Sequence, residues 1–239
     1  MKKIGLIGGM SWESTQEYYK MINEYTNQKL GGLNSAECIL WSVNFEEIEL
    51  YQRTNQWEKC GKILNGIAKN LERSGADVLI LCTNTMHKVT DLLLKDIKIP
   101  FLHIADMTAD EIQKENLKKI GLLGTKYTMS EDFYKSKLIQ KGIDVIIPNQ
   151  NDQNIVNEII YKELCMGKIN EKSKKKYLDI IEKMLKQDVE GIILGCTEIG
   201  LLIKQKDVKV KIFDTTIIHA QKAVEFILSI DNIGLIGSK

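Results

Sequence analysis

The chain repeats itself, and that limits the folds open to it. "KKIGLIG" spans Lys2–Gly8 and "KKIGLLG" spans Lys118–Gly124, 116 residues on. Each copy then reaches "MS", at Met10-Ser11 and Met129-Ser130, with acids behind the serine, Glu13 in one copy and Glu131 and Asp132 in the other. A serine N-cap followed by acids in the first turn predicts a helix start after each. The later parts match too. Ile63, Leu64, Ile67, Ala68 and Leu71 form a helical stripe ahead of "DVLIL", and Tyr177, Leu178, Ile181, Met184 and Leu185 form one ahead of "GIIL". Aligning Leu81 with Leu194 places Thr83 opposite Cys196 and Cys82 opposite Gly195.

Each half therefore reads as strand, loop, helix, a further strand and helix, then a buried strand ending in a reactive turn. Such alternation predicts an α/β fold of two pseudo-symmetric domains, each a parallel sheet flanked by helices. Short, uniformly apolar strands suit sheets covered on both faces. The expected boundaries are 1–113 for the N-terminal domain and 114–217 for the C-terminal one. A last helix within 218–239, about His219 to Leu228, is expected to rejoin the first half. Ligands of such sheets bind beyond the carboxyl ends of the strands, so two related halves suggest an active site in the cleft between them.

Charge and cysteine content narrow the partners. The formal net charge is +1 and the charges are interspersed, which argues against a nucleic-acid groove. The run "KSKKK" at Lys172–Lys176 reads as a solvated helix start. No stretch approaches the length of a membrane span, and the apolar run after Lys2-Lys3 is short for a secretory signal. Five scattered cysteines read as free thiols in a reducing compartment, hence a cytoplasmic protein.

Cys196 ends a strand at the repeated turn, ahead of an expected helix containing Ile199, Leu201 and Leu202. A helix N-terminus lowers a thiol pKa, and a value near 7 would make Cys196 a useful base or nucleophile. Thr83 holds the matching turn, where its hydroxyl can donate a hydrogen bond or pass a proton. Asn84, Thr85 and Thr197 add donors. Gly8 to Met10 and Gly124-Thr125 can bring bare backbone N–H groups to a carboxylate. One acid/base group on each face of a carbon suits racemisation, in which one side removes the α-proton and the other returns one. Cys38, Cys60 and Cys165 read as small core hydrophobes. Cys82 reads as core or as support behind the site. His87 either orients the site or caps and packs. His103 and His219 read as structural. Glu163 meets a substrate ammonium or is a solvated carboxylate. Tyr18, Tyr19, Ile22 and Tyr25 form a helical stripe, hence core or interface.

"IGLIGGMSWEST", "CTNTMHKV", "FLHIAD", "GLLGTKYTM", "GCTEIGLL" and "FDTTIIHA" follow one another along the chain. In that order they resemble the aspartate/glutamate racemase family, in its branch of L-aspartate/glutamate-specific and broad-specificity amino-acid racemases. The resemblance covers nearly the whole chain. It implies an isomerase acting without pyridoxal phosphate or any other cofactor, on a small amino acid between two domains, and a homodimer. Family members carry a cysteine in each turn. Here Gly195-Cys196-Thr197-Glu198 keeps the second, and Thr83 stands where the first is usual. The resemblance assigns catalysis to Thr83 and Cys196. It puts Met10, Gln52, Asn84, Thr85, Thr125, Glu163 and Thr197 on the substrate, and leaves Cys82 and His87 as possible support.

Four rivals differ in class. A nucleotide-binding enzyme is weakened because Gly5, Gly8 and Gly9 do not space as G-x-G-x-x-G. Zinc held by Cys82, His87 and a distant histidine lacks normal ligand spacing. Another reaction in the same cleft, such as a decarboxylation or cis–trans isomerisation, would differ by product. A non-catalytic amino-acid sensor would be stabilised by ligand without turnover. Neutral substrates such as homoserine stand beside aspartate and glutamate.

Overall fold

The computed structural model describes residues 1–229; the "NIGLIGSK" echo and the end of the expected 218–239 segment lie outside the described residues. Eight strands appear in the order β1 (Ile4–Gly8), β2 (Cys38–Ser42), β3 (Val78–Leu81), β4 (Phe101–Leu102), β5 (Lys119–Gly124), β6 (Asp144–Ile146), β7 (Gly191–Gly195) and β8 (Lys211–Asp214). They form two four-stranded sheets of the same topology, β2-β1-β3-β4 and β6-β5-β7-β8. Every pairing in both is parallel. The repeat read from the sequence is thus a repeat of topology, with β1 matching β5 and β3 matching β7.

The central strands are buried throughout, as continuous apolar runs require. The helices beside them bury the predicted stripes. Trp57–Arg73 buries Leu64, Ile67, Ala68 and Leu71 ahead of β3, and Glu171–Leu185 buries Tyr177, Ile180, Ile181 and Met184 ahead of β7. Each Leu, Ile or Met among them taken out of water contributes roughly 1.5–3 kcal/mol, so these stripes decide which face turns inward.

The helix starts differ from the expectation. Ser11 precedes the helix Trp12–Leu30, yet its side chain accepts no capping bond. Its carbonyl instead accepts from the Ser14 and Thr15 hydroxyls, and Thr15 Oγ1 accepts from Gly9 N–H at 2.8 Å. In the second copy Ser130 ends a helix, Lys126–Ser130, whose cap is Thr125. The second copy is three residues longer between its strand and "MS", and Lys126–Ser130 form an extra turn there, with the Thr125 hydroxyl accepting the Thr128 N–H that such a start leaves unpaired.

Contacts divide the chain into two units. The first holds Met1–Cys82, Val89–His103 and the residues from His219; the second holds Thr83–Lys88 and Ile104–Ile218. The break after His103 falls before the 113/114 boundary taken from the sequence, because the helix Ile104–Lys114 buries Ile104, Ala105, Ala109 and Ile112 with Ile120, Leu122, Tyr134 and Phe213 of the second unit. In the first unit the part of the helix Thr215–Leu228 from His219 on returns Ala220, Ala223, Val224 and Ile227 to a core with Ile4, Leu6, Tyr18 and Ile22. That core also encloses His219. Its Nε2 lies 2.8 Å from the Leu102 carbonyl, which can only accept, so Nε2 carries the proton and Nδ1 accepts from the Tyr18 hydroxyl at 2.9 Å. Burial pushes the His219 pKa down to about 4.

Candidate active site

In the second unit, β5, β7 and β8 end side by side. Gly124 pairs with Gly195, and Leu194 with Asp214. Thr125, Cys196 and Thr215 are the next residues on their strands, so they start from neighbouring strand ends. The two paired glycines are required there: a Cβ on Gly124 would lie 2.8 Å from the Gly195 carbonyl oxygen.

The turn after β3 joins this edge. Thr83–Lys88 counts with the second unit, and its contacts show why. Asn84 Nδ2 donates to Thr215 Oγ1 at 2.9 Å, and the Thr85 and Thr125 hydroxyls lie 2.9 Å apart. Lys88 Nζ pairs with Glu131 Oε2 at 2.6 Å. His87 lies between this turn and the helix Ile104–Lys114. Ile104 N–H donates to its Nε2 at 3.2 Å, so Nδ1 carries the proton and donates to the Thr83 carbonyl at 2.8 Å. His87 thereby fixes the turn through its backbone and joins it to the first N–H of the helix Ile104–Lys114.

Cys196 is buried, and its thiol donates to Glu198 Oε2 at 2.9 Å. The Thr197 hydroxyl donates to the same oxygen at 3.0 Å. Burial pushes the Cys196 thiol well above its ordinary range, and the Glu198 carboxylate adds to this by repulsion of the thiolate and by accepting from the neutral thiol. The lowered thiol pKa expected from a helix N-terminus is therefore corrected. The helix after the turn is only Ile199–Leu202, and the nearest strong electrostatic neighbour is an acid. Glu198 is the residue that sequence reasoning missed. Its signal was the acid two residues past the cysteine, which a strand-end turn folds back onto the thiol.

Glu163 ends the helix Gln150–Lys162. Its Oε1 accepts from the Ser173 hydroxyl at 2.9 Å, and its Oε2 is buried with no hydrogen-bond partner. Tyr177, buried nearby, has its pKa pushed up by burial first, with the negative charges of Cys196, Cys165, Glu198 and Glu163 adding to the shift. Met10, Gln52 and Cys82 belong to the first unit. Met10 and Gln52 are buried beyond β1 and on the helix Phe45–Arg53. The adjacent Arg53 turns to the surface and pairs with Glu49 at 3.1 Å. Cys82 is fully buried among Ile4, Leu6 and Ile80, and burial raises its thiol pKa; it is a core residue of that unit.

Two thiol or hydroxyl turns at sheet ends, buried and rich in threonine, are the features to compare with known proteins. The family model described as Asp/Glu/Hydantoin racemase matches residues 7–223. The chain belongs to that racemase family. The broad specificity amino-acid racemase RacX of Bacillus subtilis is 24% identical over 228 residues, which cover 95% of this chain and 98% of that protein. A crystal structure from Yersinia pestis, described as a candidate Asp/Glu racemase, is 51% identical with a TM-score of 0.88, covering 95% of this chain and all of that one. An aspartate racemase homologue from Pyrococcus horikoshii is 42% identical with a TM-score of 0.82, covering 95% and 99% of the two chains. This racemase-family chain is accordingly an isomerase of the amino-acid racemase type, with the two-sheet α/β architecture of its neighbours. Among its described residues no helix is long and apolar enough to cross a membrane.

Proposed function

We propose that the protein interconverts L- and D-aspartate or glutamate without a cofactor, with Cys196 and Thr83 acting on opposite faces of the α-carbon. The observation that carries this reading is the buried hydrogen bond from the Cys196 thiol to the Glu198 carboxylate. A neutral thiol cannot take an α-proton. A carboxylate at 2.9 Å can receive the thiol proton and leave Cys196 as the thiolate. The thiolate then takes the α-proton, and the Thr83 hydroxyl returns one from the other face, refilled from solvent. Because a threonine hydroxyl is a poor base, turnover is fast from the enantiomer that presents its proton to Cys196, which the family resemblance makes the L form. Thr85, Thr125 and Thr197 supply hydroxyls for the carboxylate and its developing enediolate charge. Glu163, with its unpartnered Oε2, meets the ammonium.

The partners in this reading are a small amino acid and a second copy of the chain. The edge strand β2 exposes Leu40 and Trp41, each 42% accessible, which supports self-association. Five free cysteines support a cytoplasmic setting. The broad-specificity name of the Bacillus subtilis relative supports including neutral amino acids such as homoserine among the substrates tested.

The test is incubation with L- and D-aspartate, glutamate and homoserine in D₂O, without pyridoxal phosphate, following α-deuteration and chirality. The expected result is deuterated antipode, faster from one enantiomer, and none with Cys196→Ser. Equal rate constants from both enantiomers would remove the asymmetric role of Thr83. No deuteration of any of these would remove the reading itself.

A further inference from the structure

The hydrogen bonds around Asn84 have only one consistent direction. The Thr215 hydroxyl lies 2.8 Å from the Leu194 carbonyl, and a carbonyl only accepts, so the single hydroxyl proton is committed there. Toward Asn84, 2.9 Å away, Thr215 Oγ1 can then only accept. The amide therefore turns its Nδ2 to Thr215, and its Oδ1 points elsewhere. That Oδ1 is buried and has no hydrogen-bond partner in the protein, although Asn84 is only 2% exposed. The nearby hydroxyls of Thr85 and Thr125 are already joined to each other. A buried acceptor left unpaired costs about 1–3 kcal/mol, and only a donor can relieve it.

We infer that Thr215 is a positioning residue that locks the Asn84 amide with its oxygen toward the substrate's α-ammonium, so that the site selects amino acids over acids of the same shape lacking the ammonium. Of the polar groups on the α-carbon of an amino acid, the carboxylate only accepts and the ammonium only donates. An Asn84 free to turn over would offer Nδ2 to a carboxylate equally well. Thr215 removes that freedom. It is fully buried one residue past β8, beside the strand that leads to Cys196, so the lock belongs to the same sheet edge as the thiol. The inference rests on the proposed racemase reading for the identity of the donor.

The experiment measures binding of L-aspartate and succinate to the full chain by calorimetry, beside α-deuteration kinetics. A hydrogen bond to a charged partner implies roughly 10- to 100-fold preference for aspartate in the unaltered protein. Asn84→Leu and Thr215→Val should lower the aspartate-to-succinate ratio about tenfold or more, to what the Glu163 carboxylate alone supplies, whereas Thr215→Ser, which keeps the hydroxyl, should retain it. In Thr215→Val the loss should appear mainly as a higher KM for deuteration, with kcat less affected. A merely structural role would weaken both ligands alike and leave their ratio in place, and that result overturns the inference. If Thr215→Val does not fold, Asn84→Leu decides by the same ratio. Intact deuteration with an unchanged ratio refutes the lock and leaves the racemase reading standing. No binding and no deuteration with any amino acid refutes both.

Discussion

His219 should make the first unit acid-sensitive by an amount that can be worked out. Its ring is enclosed, with Nε2–H donating to Leu102 and Nδ1 accepting from Tyr18, so no site remains for a second proton without breaking the Tyr18 bond. Its pKa falls from 6.5 to about 4, with burial as the main cause, the Leu102 carbonyl opposing it and His103 adding slightly. The unfolded chain therefore takes up this proton near pH 6.5 and the folded chain near pH 4. The unfolded state binds more protons between those values, so stability is fully present above the window and is lost as pH falls through it. The full span is worth about 3 kcal/mol, and about 2.5 kcal/mol of it is gone by roughly pH 4.5. The perturbation is His219→Gln, whose amide can donate to Leu102 and accept from Tyr18 without titrating. The assay is urea unfolding from pH 7.5 to 4.5 followed by tryptophan fluorescence. Trp12, Trp41 and Trp57 all belong to the first unit, so the signal reports where His219 sits. Subtracting the variant from the unaltered protein removes the carboxylates common to both. The difference should grow by about 1.4 kcal/mol per pH step below roughly pH 6.5. A difference that stays flat across the range refutes the reasoning.

Other perturbations separate thiol chemistry from packing. Glu198→Gln should make Cys196 react faster with iodoacetamide at pH 8, because the repelling carboxylate is gone, while α-deuteration falls at least tenfold; mass spectrometry of the alkylated peptide reads the first and NMR the second. Gly195→Ala should destabilise by about 1–3 kcal/mol in urea unfolding, since its Cβ would stand 2.9 Å from the Leu123 carbonyl oxygen with no room for backbone to yield. Cys82→Ser should cost about 1–3 kcal/mol by placing a hydroxyl in an apolar core, with little change in the deuteration rate per folded molecule; equal loss of rate with stability intact would return Cys82 to the chemistry.

Some of this was legible in the chain and some was not, for physical reasons. Period and repetition are local signals, so the two matching sheets followed from apolar runs and one alignment. The thiol's environment did not follow. A spacing pattern does not say whether the turn after the strand opens a long helix that lowers a thiol pKa or, as here, the short Ile199–Leu202 with Glu198 against the sulfur. The Asn84–Thr215 bond spans 131 positions and the Tyr18–His219 bond 201, and no spacing rule reaches so far. The break after His103 differs from the 113/114 boundary for a related reason. A helix that follows one half in sequence was assigned to it, whereas Ile104 and Ile112 find their apolar surface on Ile120 and Phe213.

The route of the chain through its two units also bears on synthesis. The hexapeptide Thr83–Lys88 leaves the ribosome before any strand of the second sheet exists to receive it. The first core stays open on one side until Ala220, Ala223 and Ile227 arrive, after every strand of the second sheet. The second unit has all its segments once Ile218 is made, whereas a chain cut before His219 would leave the first core with a row of bare aliphatic side chains. The helix Thr215–Leu228 thereby makes closure of the first core wait for the whole second sheet.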